Sequence, residues 1–151
     1  MIQGADTSLL VVLEIRDAPG HQQAWDFLKR AVLGGGRPLA LAPQVLAEFI
    51  HIVTDPRRFQ NPLSMEEALK KADLWWNAEE VQQVVPDSGA VTLFSHWMYR
   101  YRLGRRRTLD TMLAATYAAA GVRRIVSTNL RDYRVFEELE IVDPTAEGEQ
   151  G

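Results

Sequence analysis

The sequence contains no cysteine among its 151 residues. This absence excludes disulfide frameworks, thiolate metal sites and cysteine nucleophiles. No apolar run approaches the ~20 residues that a membrane-spanning helix needs, and residues 1–13 lack the basic segment of a secretory signal. With a hydrophobic fraction of 46%, these absences predict a soluble, cytoplasmic protein. A single domain is expected, because one core commonly occupies roughly 100–200 residues.

Several ligand-binding motifs are absent as well. The glycines at 34–36 are not followed by the Lys-Ser/Thr pair of a phosphate-binding P-loop, and no GxGxxG, HExxH or GxSxG occurs. The three histidines, His21, His51 and His96, lie far apart without metal-ligand spacing. The remaining candidates for chemistry are carboxylates.

Positive charge is scarce overall but concentrated in one region. The chain has 17 Lys+Arg against 20 Asp+Glu, a net charge of −3. Residues 100–134 contain nine arginines and two acids, a net charge of +7, which leaves −10 for the rest of the chain. A polyanion could bind such a region through phosphate contacts. Alternatively, the arginines only solvate helix faces.

Short apolar segments alternate with helical patterns along the chain. We expect strands at 1–6, 38–42, 81–86, 125–127 and 141–142. We expect helices at 21–33, 44–54, 64–77, 90–101 and 109–120, and a short one near Val135. This alternation predicts an α/β fold whose central parallel sheet is flanked by helices. The domain is expected to span 1–144, followed by a disordered tail, 145–151.

Four carboxylates stand apart from other acids. Asp6 and Glu48 are each the only charged residue of an apolar segment, and Asp110 and Asp132 are the only acids of the basic region. An ionised carboxylate in apolar surroundings is costly unless it is paired. Each acid could simply cap a turn or helix. Together they could converge at the sheet edge where open α/β folds bind their ligands.

Converging carboxylates indicate a particular chemistry. Without Cys or His ligands, they suit hard cations such as Mg²⁺ or Mn²⁺. Such an ion can activate water and stabilise charge on a phosphoryl group, and nearby arginines can bind a phosphate backbone. Metal-dependent phosphodiester hydrolysis is therefore a hypothesis from residue type and placement.

Four segments occur in an order and spacing that match a known pattern over roughly residues 1–144. They are Asp6–Leu10, Pro43–Phe49, Asp110–Thr116 and Ser127–Tyr133. Together they resemble the PIN-domain ribonucleases, specifically the VapC toxins of bacterial toxin–antitoxin pairs.

This resemblance implies a fold, an activity and partners. The fold is a PIN-like parallel sheet between helices, commonly dimeric, and the activity is endoribonuclease cleavage of RNA with Mg²⁺ or Mn²⁺. Asp6, Glu48 and Asp110 match the metal-binding acids, and Asp132 matches a fourth acid that helps to bind the ion or to orient the attacking water. A small cognate antitoxin usually inhibits such a toxin by inserting a segment at the site.

Some positions depart from the family pattern. Gln3–Ala5 interrupts the usual apolar run, so the first strand is expected to be short. Ser127 stands where the family usually has threonine, and Asn129 stands where other members have aspartate. The surroundings of the fourth acid are therefore less acidic than in those members. We expect both side chains to form hydrogen bonds around the site. The candidates for RNA backbone contact, or for contact with an acidic antitoxin or a second subunit, are Arg105, Arg106 and Arg107.

Other interpretations remain open. A non-catalytic RNA- or protein-binding module on the same fold would bind RNA with a steep salt dependence and form no metal-dependent products. A metal-dependent phosphatase for small substrates is less favoured, because it needs fewer cationic contacts. The pair Trp75-Trp76 and the stripe of Phe94, Trp97 and Tyr101 could stack on bases, but the helical spacing of the stripe favours the core or a homodimer interface.

Overall fold

Five short strands form a central sheet in the computed structural model, which describes residues 1–146. The strands are β1 (Gln3–Ala5), β2 (Leu39–Leu41), β3 (Val81–Gln83), β4 (Arg124–Val126) and β5 (Glu140–Val142). They lie in the order β3-β2-β1-β4-β5, and every neighbouring pair is parallel. The predicted α/β fold with a parallel sheet is confirmed.

Seven α-helices of the described residues flank the sheet. They are α1 (Thr7–Glu14), α2 (His21–Leu28), α3 (Pro43–Val53), α4 (Met65–Trp76), α5 (Ser88–Arg100), α6 (Thr108–Ala119) and α7 (Leu130–Tyr133). A π-helical turn, Lys29–Leu33, continues α2, and a 3₁₀ turn, Arg105–Arg107, precedes α6. Within residues 1–146, no helix combines the length and apolar character that crossing a bilayer requires.

Local signals position several of these helices. Pro43 occupies the first turn of α3, where its missing N–H costs no hydrogen bond. The Ser64 hydroxyl accepts a 3.1 Å hydrogen bond from the Glu67 N–H and caps α4, which begins where a helix was expected. Helix α1 was not predicted as a helix, because it is buried on most sides and therefore lacks the polar face that reveals helical periodicity.

The aromatic stripe of α5 belongs to the core at its centre. Trp97 is 1% exposed and stacks on Phe136, with 4.9 Å between ring centroids. Phe94 and Tyr101 are partly buried against the same core. The core interpretation is therefore confirmed for Trp97, which is not available to a second subunit. The short helix predicted near Val135 lies earlier, as α7, because the chain after it turns inward to bury Phe136.

A tyrosine ring from α6 covers strand β1 at Gly4. Gln3 and Gly4 are buried, and the Tyr117 ring lies where a side chain at Gly4 would stand. The Tyr117 hydroxyl donates to the Ala5 carbonyl at 2.5 Å and accepts from the Ala42 N–H at 3.3 Å. This residue joins α6 to the strand end that precedes the first of the candidate acids.

Gly4→Ala is expected to destabilise the protein by about 1–3 kcal/mol, because overpacking a rigid core has this cost. An added Cβ would lie 2.7 Å from Tyr117 Cδ2, and the buried ring has no room to move away. Thermal unfolding should show a Tm lower by roughly 3–10 °C. Gly104→Ala is the matched control, because Gly104 has φ −89° and no atom within 4 Å of the added Cβ. Equal Tm values for the two variants would contradict this packing.

The end of the described chain forms a turn. The N–H and hydroxyl of Thr145 both donate to Asp143 Oδ1, at 2.8 and 2.7 Å. Thr145 also lies against Gly20, at the start of α2. Of the predicted disordered tail, residues 147–151 lie outside the described residues.

Candidate active site

The first candidate acid lies where the order of the strands switches from one side of β1 to the other. From β1 the chain builds β2 and β3 on one side, then returns to place β4 and β5 on the other. Asp6 follows β1 directly and Ser127 follows the neighbouring β4, and the Asp6 N–H donates to the Val126 carbonyl at 3.1 Å. Open α/β sheets bind ligands at such a switch point, beyond the carboxyl ends of the strands.

Asp6 is buried and held by three hydroxyl groups. Its Oδ2 accepts from the hydroxyls of Ser8 at 2.8 Å and Ser127 at 2.7 Å, and its Oδ1 accepts from the Tyr133 hydroxyl at 2.8 Å. These donors are neutral, so they fix the carboxylate without cancelling its charge. Since a carboxylate oxygen can accept about two hydrogen bonds, Oδ1 keeps an acceptor position for another partner.

The loop after β4 is tied to Asp6 through the same hydroxyls. The Ser127 hydroxyl accepts from the Asn129 N–H at 2.9 Å, and the Ser8 hydroxyl accepts from the Thr128 N–H at 3.0 Å. Ser127 therefore contacts an acid directly, whereas Asn129 joins the network through its main chain and exposes its side chain. Sequence reasoning did not single out Ser8, although it lies two residues after Asp6.

Three of the four predicted acids line one cavity of about 500 Å³. Asp6 comes from the end of β1, Glu48 from the middle of α3, and Asp110 from the first turn of α6. The lining also includes apolar residues, among them Ile52 and the exposed Leu109. Carboxylates from three separate elements thus line one cavity at the switch point of the sheet.

Burial and the charges of neighbouring acids raise the pKa of two of these carboxylates, Asp110 and Glu48. The pKa of Asp110 is raised to about 6. Burial is the largest cause, the negative charges of Asp132, Asp6 and Glu48 add to it, and Arg107 opposes it. Partial desolvation and then the charge of Asp6 raise the pKa of Glu48, although this residue lies at the exposed edge of the cavity. Within residues 1–146, none of the three cavity acids forms a salt bridge. Negative charge is therefore incompletely compensated here.

The fourth predicted acid and the arginines occupy different places. Asp132 does not line the cavity, but its charge acts on Asp110, and its main-chain carbonyl accepts a hydrogen bond from the Arg107 guanidinium. Arg107 is therefore directed inward, unlike the surface contact predicted for it. Arg106 lines the cavity, and Arg105 is exposed.

Several residues of the site were not identified from the sequence. Arg58 and His51 line the cavity and partly oppose the rise in the pKa of Glu48. Tyr133 donates to Asp6 and also lies 3.5 Å from Asp110 Oδ1, so one buried hydroxyl stands between two acids. The sequence offers a signal for two of these residues. His51 lies one helical turn after Glu48, and Tyr133 directly follows an acid.

The cavity acids fit a hard divalent cation by their donor chemistry. Three carboxylates face one space with incomplete compensation of charge, and oxygen ligands are those that Mg²⁺ and Mn²⁺ prefer. As these side chains stand, no three His, Asp or Glu residues among 1–146 are grouped closely enough to hold an ion. Because Asp6 is fixed, Glu48 and Asp110 would have to move toward it on binding.

The raised pKa of Asp110 predicts how metal-free stability depends on pH. The folded protein binds this proton with a pKa of about 6, against an ordinary 3.8. Its contribution to stability is therefore complete below pH ~4 and lost as the pH rises through ~6. In EDTA, Asp110→Asn should stabilise the fold at pH 7.5 by on the order of 1 kcal/mol, after allowance for solvent screening. At pH 4 it should have little effect.

Urea unfolding of the wild type and Asp110→Asn at the two pH values measures this difference. Asp73→Asn, which removes an exposed acid of α4, serves as the control. A stabilisation by Asp110→Asn that is the same at both pH values would contradict the pKa assignment.

Comparisons with known proteins identify a family and a shared fold. The family model described as PIN domain matches residues 5–145. A protein named Ribonuclease VapC24 from Mycobacterium tuberculosis is 27% identical over 146 residues, which is 95% of this chain and 97% of that relative.

Two solved structures show the same fold. VapBC-1 from nontypeable Haemophilus influenzae superposes with a TM-score of 0.69 at 16% identity, covering 97% of this chain and 100% of that one. VapC20 of Mycobacterium tuberculosis, described as a Sarcin-Ricin loop cleaving toxin, superposes with a TM-score of 0.66 at 15% identity, covering 88% of this chain and 94% of that one.

Proposed function

Because the chain belongs to the PIN domain family, we propose that it is a divalent-metal-dependent endoribonuclease and the toxin of a toxin–antitoxin pair. The observation that supports this most directly is the meeting of Asp6, Glu48 and Asp110 at one cavity. The relative named as a ribonuclease, matched over nearly its whole length, and the VapBC complex of the same fold support the activity and the type of partner.

In this proposal the cavity acids bind Mg²⁺ or Mn²⁺. The bound ion would activate a water molecule and stabilise negative charge on the phosphoryl group. Asp6, fixed by its three hydroxyl donors, would be the rigid ligand, and Glu48 and Asp110 would be the other two. Asp132 lies outside the cavity lining; its negative charge would add to the attraction for the cation, and it would help to orient the attacking water.

RNA would be bound by cations at the rim of the cavity. The guanidinium groups of Arg58 and Arg106 line the cavity and are suited to phosphate oxygens. Arg105 is exposed on the same 3₁₀ turn and could extend this contact. Arg107 instead anchors α7 through the Asp132 carbonyl, which makes it a positioning residue.

The open cavity also suits inhibition by a partner. A small cognate antitoxin that covers the carboxylates would exclude RNA, and a basic side chain inserted there would offset the uncompensated charge. We expect the toxin itself to form a homodimer in the cytoplasm. Its interface would not include Trp97, which is 1% exposed.

Tyr133→Phe is expected to weaken cleavage and apparent metal affinity by about 10–100-fold, the usual effect of removing a group that orients a metal ligand. The ring is kept and only the hydroxyl is removed, so Asp6 Oδ1 loses its 2.8 Å donor while the packing against Phe136 persists. The measurement is the rate as a function of Mn²⁺ concentration. A positioning role predicts that the half-maximal Mn²⁺ concentration rises, and an unchanged metal dependence would argue against it.

The proposed function is tested by incubating antitoxin-free protein with mixed cellular RNA in Mn²⁺ and in EDTA. We expect discrete products with Mn²⁺ and none with EDTA. Folded protein that binds RNA with a steep salt dependence but forms no metal-dependent products would instead support the non-catalytic binding module.

A further inference from the structure

A second cavity, of about 320 Å³, lies beside the cavity of the three acids. The two cavities share Glu48, Ile52 and Arg58 in their linings, so they adjoin, and together they are called the trough here. The second cavity extends away from Asp110, between α1 and the loop after β4. A chain lying in the trough would cross the proposed metal site as it passes from one cavity to the other.

The lining of the second cavity includes an aromatic side chain next to a cation. Phe59 is partly exposed there, on the turn that follows α3. Asp55 fixes this turn, because its carbonyl accepts from the N–H groups of Arg58 at 3.1 Å and Phe59 at 3.2 Å. The Arg58 guanidinium is 3.8 Å from the Asp55 carboxylate and its side chain is 58% exposed, so it can also engage an anion.

Another part of the cavity lining is polar. Thr128 and Asn129 line it, and both are exposed. Their N–H groups are bonded to Ser8 and Ser127, which fixes the backbone. Within the described chain, neither side chain is engaged in a hydrogen bond. A hydroxyl and a carboxamide are therefore available in fixed places to the edge of a ligand.

We propose that this second cavity binds one nucleotide of the RNA, adjacent to the phosphodiester bond that is cut. The base stacks on Phe59, its edge meets Thr128 and Asn129, and Arg58 binds the phosphate at the boundary of the two cavities. An aromatic face, a polar edge and a guanidinium are the groups that recognise unstacked RNA bases. This inference rests on the proposed ribonuclease function and makes the cavity a determinant of cleavage specificity.

The first test is binding of the four 5′-mononucleotides, AMP, CMP, GMP and UMP, followed by NMR at the amide signals of Thr128 and Asn129. We expect saturable shifts with one base preferred. Phe59→Leu should weaken that binding about tenfold, because it removes the stacking face. Phe59→Tyr should retain the affinity. Tyr99→Leu is the matched control, since Tyr99 is 86% exposed and lines neither cavity.

The second test is sequencing of the cut sites made in a complex RNA pool by the wild type, Phe59→Leu and Tyr99→Leu. At one position beside the cut, Phe59→Leu should weaken the base preference of the wild type, and Tyr99→Leu should not. Cleavage by Phe59→Leu with an unchanged preference, together with unchanged mononucleotide binding, would overturn the subsite and leave the ribonuclease intact.

The two proposals can fail separately. Mononucleotide binding that depends on Phe59, in a protein that never cleaves RNA, would overturn the ribonuclease and support the nucleotide site alone. The absence of any shift at Thr128 and Asn129 up to millimolar nucleotide would overturn the site, whatever the outcome of the cleavage assay.

Discussion

Asp110→Asn is expected to reduce metal-dependent RNA cleavage by roughly a thousandfold, the consequence of losing several kcal/mol of charge stabilisation. Asparagine has the shape of aspartate, so it keeps the first turn of α6 and its packing. It removes the negative charge that the neighbouring acids and burial make costly in the folded protein. An ion held by Asp6 and Glu48 alone would be bound less tightly, because two carboxylates instead of three would hold it in place.

The measurement is the initial rate of cleavage at saturating Mn²⁺ for wild type and Asp110→Asn purified in parallel. Asp73→Asn, an exposed acid on α4, is the control for loss of one negative charge. Unfolding is excluded as an explanation by the stability experiment, in which Asp110→Asn should be the more stable protein at pH 7.5 without metal. A rate within tenfold of wild type would remove Asp110 from the proposed metal site.

That combination of lower activity and higher stability follows from the placement of the acids. A site that collects carboxylates without salt bridges destabilises the metal-free fold, and the cost is offset only when a cation binds. A carboxylate whose role was only to complement a helix N-terminus would behave in the opposite way, since its removal would lower stability. The sign of the change therefore discriminates between the two interpretations that the sequence left open for Asp110.

The sequence predicts the fold well because strands and helices alternate and because particular residues mark where helices begin. Pro43 and Ser64 begin helices where expected, and all five strands were identified. Helix α1 was missed because its apolar residues face the core on most sides and leave no periodic polar face. Gly4 is explained only by the Tyr117 ring, a contact between residues more than 100 positions apart that no local pattern reveals.

For the site, the sequence identifies the acids but not the groups that orient them. Asp6 and Asp110 are conspicuous because a charge interrupts an apolar segment or an acid interrupts a basic one. Tyr133 looks like an ordinary core residue, and only tertiary structure places its hydroxyl on Asp6. Arg107 shows the converse, because three consecutive arginines suggest one shared surface, whereas the tight 3₁₀ turn directs one of them inward.

Adding Mn²⁺ to the metal-free protein is expected to raise its Tm by about 5–10 °C at a concentration of 100 times Kd. A ligand at that concentration stabilises the folded state by about 2.7 kcal/mol when it does not bind the unfolded chain. The physical reason is that the cation offsets the mutual repulsion of Asp6, Glu48 and Asp110. Differential scanning fluorimetry in EDTA and then in excess Mn²⁺ measures the shift.

The matched variants assign this shift to the cavity. Asp110→Asn and Glu48→Gln should each lose most of it, and Asp73→Asn should retain it in full. An equal shift in all four proteins would mean that Mn²⁺ binds elsewhere, and would contradict the proposed ligands.

The pH dependence of the Mn²⁺-induced rise in Tm tests the same charges independently. With a pKa of about 6, Asp110 is mostly protonated at pH 4.5, so a cation must displace that proton before it can bind. The Mn²⁺-induced rise in Tm should therefore be smaller at pH 4.5 than at pH 7.5 when the metal concentration is held constant. Asp110→Asn removes this proton, so its residual shift should depend less on pH than that of the wild type. This difference in pH dependence would identify Asp110 as the group that exchanges its proton for the cation.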